Sequence, residues 1–295
     1  MRGVVAEAEG YVGSGPVSIR FHYDQGDEFF ALWLGSTMTY SGAMWAGPDD
    51  DLRTAQLRKL DYLANQARAG GARRVLDIGC GWGSMLRRLA EAHGVQQALG
   101  ITLSEAQVAY VEADREGDPR IEARLQDWRT FEPEAPFDAI VSLGTIEHFA
   151  GIGAPEAERA AVYRELFERC RAWLPRGGRL VIQTMAQGHA PLDRRAWRDL
   201  RLVLTKIYPN AGPPWLRELV AGCAGLFEIV RLRNDRLDYV PTLMAWRRNL
   251  RANRERAVEL VGEEMVDVHE RFFTGLARHF MLGQAEMLRL TFSAL

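Results

Sequence analysis

The reading of the fold rests on Arg74-Val75-Leu76-Asp77-Ile78-Gly79-Cys80-Gly81-Trp82-Gly83. Residues 74–78 form a short apolar run of strand character, and the glycines after it make a tight turn. Met85, Leu86, Leu89, Ala90 and His93 then recur at helical spacing. A turn of this kind brings the backbone close to a ligand whose bulk a Cβ would obstruct. Taken alone, it fits a structural glycine turn as well as a binding turn. In a dinucleotide site, a carboxylate stands about 20 residues further on, at the tip of the second strand. Here that strand, residues 97–102, runs into Thr102-Leu103-Ser104 with no carboxylate. Thr102 and Gln107 offer neutral hydrogen bonds to hydroxyl or amino-acid groups instead, which argues against ordinary NAD binding.

The alternation continues on the C-terminal side. Ser104 reads as the N-cap of a helix with Glu105 and Gln107 in its first turn. A strand near residues 121–125 follows, then Phe137-Asp138-Ala139-Ile140-Val141-Ser142-Leu143-Gly144, a run with the character of a strand buried on both faces. Tyr163, Leu166, Phe167, Cys170, Trp173 and Leu174 share one helix face, Pro175, Gly177 and Gly178 end that helix, and residues 179–184 supply a fifth strand. Strand and helix in alternation predict an α/β, doubly wound, mostly parallel sheet with ligands bound beyond the strands' carboxyl ends. Residues 190–280 are helix-rich and rich in Arg and Glu, apart from a strand candidate at 227–232, and residues 287–295 are expected to return as an edge strand. The expected organisation is a helical N-terminal lid over residues 1–55 and a core over 56–295 that includes a helical cap at about 190–280.

At 295 residues and 47% hydrophobic, the chain fits one elaborated domain. A formal net charge of -2 gives no global field toward nucleic acid or an anionic bilayer, local patches aside. Lys59 and Lys206 are the only lysines, so nearly all the basic residues are Arg. Arg247, Arg248, Arg251, Arg254 and Arg256 are interleaved with Glu. They read more readily as a solvated helix face than as a dock for a phosphate or an acidic carrier protein. Three scattered cysteines, Cys80, Cys170 and Cys223, suggest neither a disulfide framework nor a metal site, and a reducing, cytoplasmic setting is expected. The start MRGVVAEAEG has no apolar core of a secretion signal, and no stretch approaches the roughly 20 apolar residues of a membrane span.

Glu147-His148, just past the strand that ends at Gly144, places an ionisable pair where an α/β active site lies. A carboxylate there can hold a base, take a proton or stabilise a developing cation. For His148 a packing or capping role is an equal alternative. Asp127-Trp128 closes the third strand, and the indole is either a wall for a flat ring or ordinary core. In the lead, His22-Tyr23-Asp24, Phe29-Phe30, Trp33 and residues 37–42 carry an aromatic and hydroxyl density suited to a lid, though helix packing also explains the aromatics. Leu202, Leu204, Ile207, Trp215, Leu216, Phe272 and Phe273 are candidates for a lipophilic tunnel or for core.

In order and spacing, HYDQGDEFFALWLGSTMTYS (22–41), LDIGCGWGS (76–84), GITLSEAQ (100–107), VSLGTIEHF (141–149), PRGGRLVIQT (175–184) and YVPTLMAW (239–246) resemble the cyclopropane-fatty-acid and cyclopropane-mycolic-acid synthases. The resemblance covers nearly the whole chain. It implies a Rossmann-like class I methyltransferase with a seven-stranded, mostly parallel sheet and S-adenosylmethionine as cofactor. Tyr40 and Ser41 would contact the cofactor from the lid, and Asp77, Gly79, Gly81 and Gly83 would hold its amino-acid portion. Thr102, Leu103 and Gln107 would meet the nucleoside, with Asp127 and Trp128 beside the adenine. It further implies that an alkene's π electrons attack the methyl group and that a bicarbonate, held by residues matching Glu147 and Tyr239, takes a proton as the ring closes. His148 and Gln183 complete the expected catalytic set.

Two departures bear on that scheme: the family's cysteine after Tyr-Ser is Gly42 here, and the histidine of its fifth strand is Gln183, with Met185 in place of a nearby isoleucine. They tell against bicarbonate. Glu147 itself then becomes the proton acceptor, or the product is a methylated alkene rather than a cyclopropane. The expected acceptor is an alkene in a lipid, a carrier-bound acyl chain, or an isoprenoid or polyketide-like molecule. Small-molecule N- or O-methylation is the alternative, and a cofactor-binding partner without catalysis is a third reading.

Overall fold

In the computed structural model the described residues are 10–23 and 25–295, so Asp24 of the lid motif lies outside them. Two short helices, α1 (Pro16–Tyr23) and α2 (Asp27–Leu34), precede α3 (Leu52–Gln66). The core then alternates: β1 (Arg74–Ile78), α4 (Ser84–His93), β2 (Gln97–Thr102), α5 (Glu105–Asp114), β3 (Ile121–Leu125) and β4 (Ala139–Leu143). A 3-10 turn over Ile146–His148, α6 (Glu156–Trp173) and β5 (Arg179–Gln187) follow. Next come α7 (Arg194–Leu202), running into a π-helical turn at Val203–Ile207, then α8 (Leu216–Cys223) and β6 (Phe227–Asn234). The chain ends with α9 (Arg236–Ala252), α10 (Arg254–Val261), α11 (Glu263–Met281) and β7 (Ala285–Ala294).

The seven strands lie in the order β3-β2-β1-β4-β5-β7-β6. The first five in that order are parallel, and β7 runs antiparallel to both β5 and β6. Successive side chains of a strand point to opposite faces. Leu76, Ile78, Leu99, Ile101 and Ile140 accordingly join Tyr163, Leu166 and Phe167 of α6 and Leu219 of α8 on one face. Val75, Ala98, Val141 and Val181 meet Leu60 and Leu63 of α3 and Leu86 and Leu89 of α4 on the other. Burial on both faces is why these strands read as continuous apolar runs, each large side chain contributing about 1.5–3 kcal/mol. Ser104 caps α5 as expected, its Oγ accepting from the Gln107 amide at 3.3 Å.

The last strand is not at the edge. β7 pairs with β5 over residues 285–293 and with β6 over 288–294, and both its faces are buried: Leu288, Leu290 and Phe292 on one, Met287, Arg289 and Thr291 on the other. β6 takes the edge instead, carrying Arg231 and Arg233 in the manner of a strand guarded against further pairing. The 190–280 stretch divides. Its α8 and β6 pack with the core, through Leu219, Cys223 and Phe227. α9 and α11 join α2 in a separate aromatic cluster containing Phe29, Phe30, Trp33, Trp246, Phe272 and Phe273.

Candidate active site

A cavity of about 340 Å³ opens at the carboxyl ends of β1, β2 and β4, over the switch point of the sheet between β1 and β4. Tyr40, Ser41, Asp77, Gly79, Gly81, Thr102, Leu103, Gln107, Asp127 and Trp128 all line it. Gly83 does not. It takes the N-cap position of α4 in a left-handed conformation (φ 75°), and a Cβ there would meet Val111 Cγ2 at 2.8 Å, so its glycine is demanded by packing on α5. Gly79 (φ 79°) is crowded by Thr145, whose Oγ1 would stand 2.1 Å from an added Cβ. Gly81 (φ 54°) has no protein atom within 4 Å of that position, so a side chain there would fill cavity space.

Asp77 is buried with Oδ1 unpartnered among the described residues, and burial raises its pKa to about 7 against the pull of Lys59. At the neutral tip of β2, Thr102 Oγ1 donates to Gln107 Oε1 at 2.6 Å. Asp127 accepts from Arg129 (2.8 Å) and from the Tyr11 hydroxyl (2.7 Å). Burial opposes ionisation of Asp127, but these donors outweigh it and hold its pKa below the usual range. Trp128 stacks on Phe149 with ring centroids 4.8 Å apart. These residues fit S-adenosylmethionine: an orphan carboxylate for its ammonium, a cradle free of Cβ atoms, and neutral and aromatic groups for its nucleoside.

Residues 10–15 close one side of this cavity. Tyr11, Val12 and Ser14 line it, the Ser14 amide donates to the His148 carbonyl at 2.7 Å, and Arg129 stacks over the Tyr11 ring at 3.7 Å. Nothing in Gly-Tyr-Val-Gly-Ser-Gly distinguishes this segment from a linker. Lys59 was also missed. It is wholly buried, with Nζ donating to Ser41 Oγ at 2.8 Å. The signal was present: Gln56 and Lys59 share the apolar stripe of α3 with Ala55, Leu60 and Leu63, where a polar side chain needs a partner.

A second cavity of about 380 Å³ lies on the other side of Glu147, walled by Met185, Leu200, Val203, Leu204, Trp215, Phe272 and Leu276. Of the tunnel candidates, Leu204, Trp215 and Phe272 line it, Ile207 and Phe273 are buried in the aromatic cluster, and Leu202 and Leu216 pack against cores. Between the two cavities is a chamber of about 20 Å³ bounded by Tyr23, Tyr40, Ser41, Glu147, His148, Gln183, Tyr208, Tyr239 and Met287. Tyr208, which no sequence pattern singled out, borders both the chamber and the apolar cavity.

Glu147 Oε1 accepts from the Met185 amide at 2.6 Å, while Oε2 meets no donor at hydrogen-bonding geometry. Burial raises its pKa to about 7, tempered by backbone amides and the Thr184 hydroxyl. His148 borders the chamber and both larger cavities. Burial lowers its pKa to about 4, so it is neutral at physiological pH, with Nδ1 3.4 Å from Ser14 Oγ. Burial keeps the phenols of Tyr23, Tyr40, Tyr208 and Tyr239 protonated.

Gln183 stands opposite Arg289 in the β5–β7 register. Its Oε1 accepts from Arg289 Nε at 2.8 Å and its Nε2 donates to the Gly42 carbonyl at 3.1 Å. Arg289, itself buried, reaches the Ala43 carbonyl at 2.9 Å and pairs with Asp235. Gly42 is pressed on its open side: a Cβ would stand 3.1 Å from both Tyr239 Cγ and Met287 Cε. Arg247, Arg251 and Arg254 converge on Glu270, and Arg256 on Glu28 and Glu259, so four of the five arginines of this face are paired, while exposed Arg248 makes no ion pair with a described residue.

The sheet order, the antiparallel β7 and the glycine-cradled cavity define a class I S-adenosylmethionine-dependent methyltransferase. Residues 16–290 match the mycolic acid cyclopropane synthetase family, and the chain belongs to that family. Cyclopropane mycolic acid synthase 2 of Mycobacterium leprae is 34% identical over 291 residues, spanning 93% of this chain and 92% of the relative. Cyclopropane mycolic acid synthase 1 of Mycobacterium tuberculosis is 30% identical, with 93% and 96% covered. The structure of the cyclopropane synthase MmaA2 from Mycobacterium tuberculosis superposes with a TM-score of 0.87 at 29% identity, covering 96% of this chain and 99% of that one. Cyclopropane synthase CmaA1 complexed with SAH and CTAB gives 0.86 at 29% identity, with 95% and 99% covered. Among the described residues no helix is long and apolar enough to cross a membrane.

Proposed function

We propose that this enzyme methylates a carbon–carbon double bond of a long lipid chain and closes a cyclopropane ring, with Glu147 taking the proton. The observation that carries the reading is the junction. A glycine-cradled cavity that carries Asp77, Thr102 and Gln107 and a second, predominantly apolar cavity adjoin a chamber of neutral phenols around one carboxylate. An unactivated alkene offers no hydrogen-bonding handle, so apolar walls must position it.

Asp77, Gly79, Gly81, Thr102, Leu103 and Gln107 would hold S-adenosylmethionine, with Trp128 beside the adenine and the N-terminal segment expected over residues 1–55 acting as lid. When bound, the cofactor supplies an electrophilic methyl group and leaves as the thioether. Attack by the alkene's π electrons leaves a cation on the second alkene carbon. Tyr23, Tyr40, Tyr208 and Tyr239 border the chamber and offer aromatic rings to that charge, and because the phenols stay protonated they do not capture it as phenolates. Glu147 Oε2 then accepts a proton from the transferred carbon, whose electron pair closes the ring. His148, a weaker base than Glu147, serves as wall.

The chamber does not fit bicarbonate. Gln183 is engaged at both ends of its amide, and Tyr239 and Met287 occupy the space beside Gly42. Gln183 thus acts as a peg for the Gly42 loop. The test is incubation with methyl-labelled S-adenosylmethionine and monounsaturated acyl chains, followed by NMR of the product. Label in a ring methylene supports the reading; label only on nitrogen or oxygen overturns it.

A further inference from the structure

We propose that the exposed face of α7 is a docking surface for an anionic bilayer, from which an acyl chain enters the apolar cavity. The proposal rests on the lipid reading of that cavity. Arg194, Arg195, Arg198 and Arg201 are all exposed, and none makes an ion pair or side-chain hydrogen bond with any described residue. This is unlike Arg247, Arg251, Arg254 and Arg256 of α9 and α10, whose charge Glu270, Glu28 and Glu259 absorb. The two acids near α7's arginines face elsewhere, Asp193 toward Arg278 and Asp199 toward Gly275 of α11, so these arginines repel one another and hold a local positive potential on a chain whose net charge is -2.

Trp197, 51% exposed, sits among them. At 100° per residue the four arginines and Trp197 fall within an arc of about 160°. Ala196, Asp199 and Leu200 take the opposite side, with Ala196 fully buried and Asp199 against Gly275 of α11. A helix with cations and an exposed indole on one face suits the headgroup layer of an anionic membrane, where phosphates meet guanidinium groups and the indole sits at the boundary. The indole favours a bilayer over an acidic protein, which would engage the arginines but gain little from a bare ring among them.

The position of α7 gives the surface its use. Asp199, Leu200, Val203 and Leu204 line the 380 Å³ cavity from the helix's inner side, and exposed Arg271 of α11, also unpaired, lies at the same cavity. A chain leaving a bilayer at α7 has only the thickness of this helix to pass before it is enclosed.

The experiment is co-flotation of the full chain with vesicles of phosphatidylcholine alone or with phosphatidylglycerol added, at low and high salt. The expected result is binding to the anionic vesicles only, weakened by salt and reduced at least ~10-fold in the R195E/R198E variant. The milder R194Q/R198Q variant should lie between. Both variants should bind S-adenosylhomocysteine and methylate detergent-dispersed substrate as the parent does, which separates surface loss from misfolding. Equal flotation of parent and R195E/R198E overturns the proposal. So does absence of vesicle binding with R195E/R198E-sensitive capture of an acyl carrier protein, which assigns the face to a protein. If no alkene is methylated while α7-dependent flotation persists, the surface stands and the alkene reading falls.

Discussion

Lys59 Nζ, fully enclosed by the fold, donates to Ser41 Oγ at 2.8 Å and so ties α3 to the loop that borders the glycine-cradled cavity. Burial and the Arg289 charge depress the Lys59 pKa while Asp77 supports its ionised form; Lys59 in turn tempers the burial-driven rise of Asp77. Lys59→Met should therefore release Ser41 and leave Asp77 with its cation removed. S-adenosylhomocysteine affinity is expected to fall ~10-fold or more by calorimetry. Lys59→Arg should not rescue it, because the longer fork has no room. Undiminished affinity in Lys59→Met would remove Lys59 from the cofactor site.

Glu147 carries opposite consequences for rate and stability. As the base it must be ionised, so kcat/KM should rise with pH up to about 7 and level above it, and Glu147→Gln should lose roughly 10²–10⁴ in rate. Its folded pKa is raised, so stability is lost as pH climbs from about 4.5 to about 7, and the full penalty remains above that. Glu147→Gln should thus melt higher than the parent at pH 8, by up to ~3 kcal/mol of stability, and show little gain at pH 4. Calorimetric melts at the two pH values check the sign.

Gly42 marks a volume exchange. Gly42→Cys, which restores the residue expected from the family pattern, should push on Tyr239 and Met287, cost about 1–3 kcal/mol and lower Tm by several degrees. Adding Met287→Ala should recover part of that loss. The parent enzyme should turn over at an unchanged rate in bicarbonate-depleted buffer; stimulation on adding bicarbonate back would show that the chamber admits the anion.

Tyr208 packs 4.4 Å from His22 and 5.2 Å from His148 while bordering both chamber and apolar cavity. If its ring face steadies the cation, Tyr208→Phe should keep most of kcat and Tyr208→Leu should lose ~10-fold, with KM for the cofactor unmoved. Equal loss in both variants would point to the hydroxyl instead.

How far the chain could be read follows from the range of each interaction. The glycine turn, the capped α5, the uncharged tip of β2 and the two-face burial of β1, β2 and β4 are matters of neighbours a few residues apart, and period and composition expose them. The placement of β7 was misjudged even though Met287-Leu288-Arg289-Leu290-Thr291-Phe292 has no solvent face, because the choice between edge and interior depends on which strand is left to cover β5. That choice matters at the site. It sets Arg289 opposite Gln183, 106 residues away, and Met287 against Gly42.

By itself, the sequence determined a doubly wound sheet, a glycine turn at Gly79 and Gly81 with no carboxylate at the tip of the second strand, and membership of a methyltransferase family. Only the tertiary structure decided that Gly83 serves packing, that Lys59 holds Ser41, that Gln183 bonds the Gly42 loop, and that Glu147 borders a chamber between two cavities. Backbone conformation follows local side-chain chemistry, whereas a buried charge or a filled volume is defined by partners that the chain brings together only when it closes on itself.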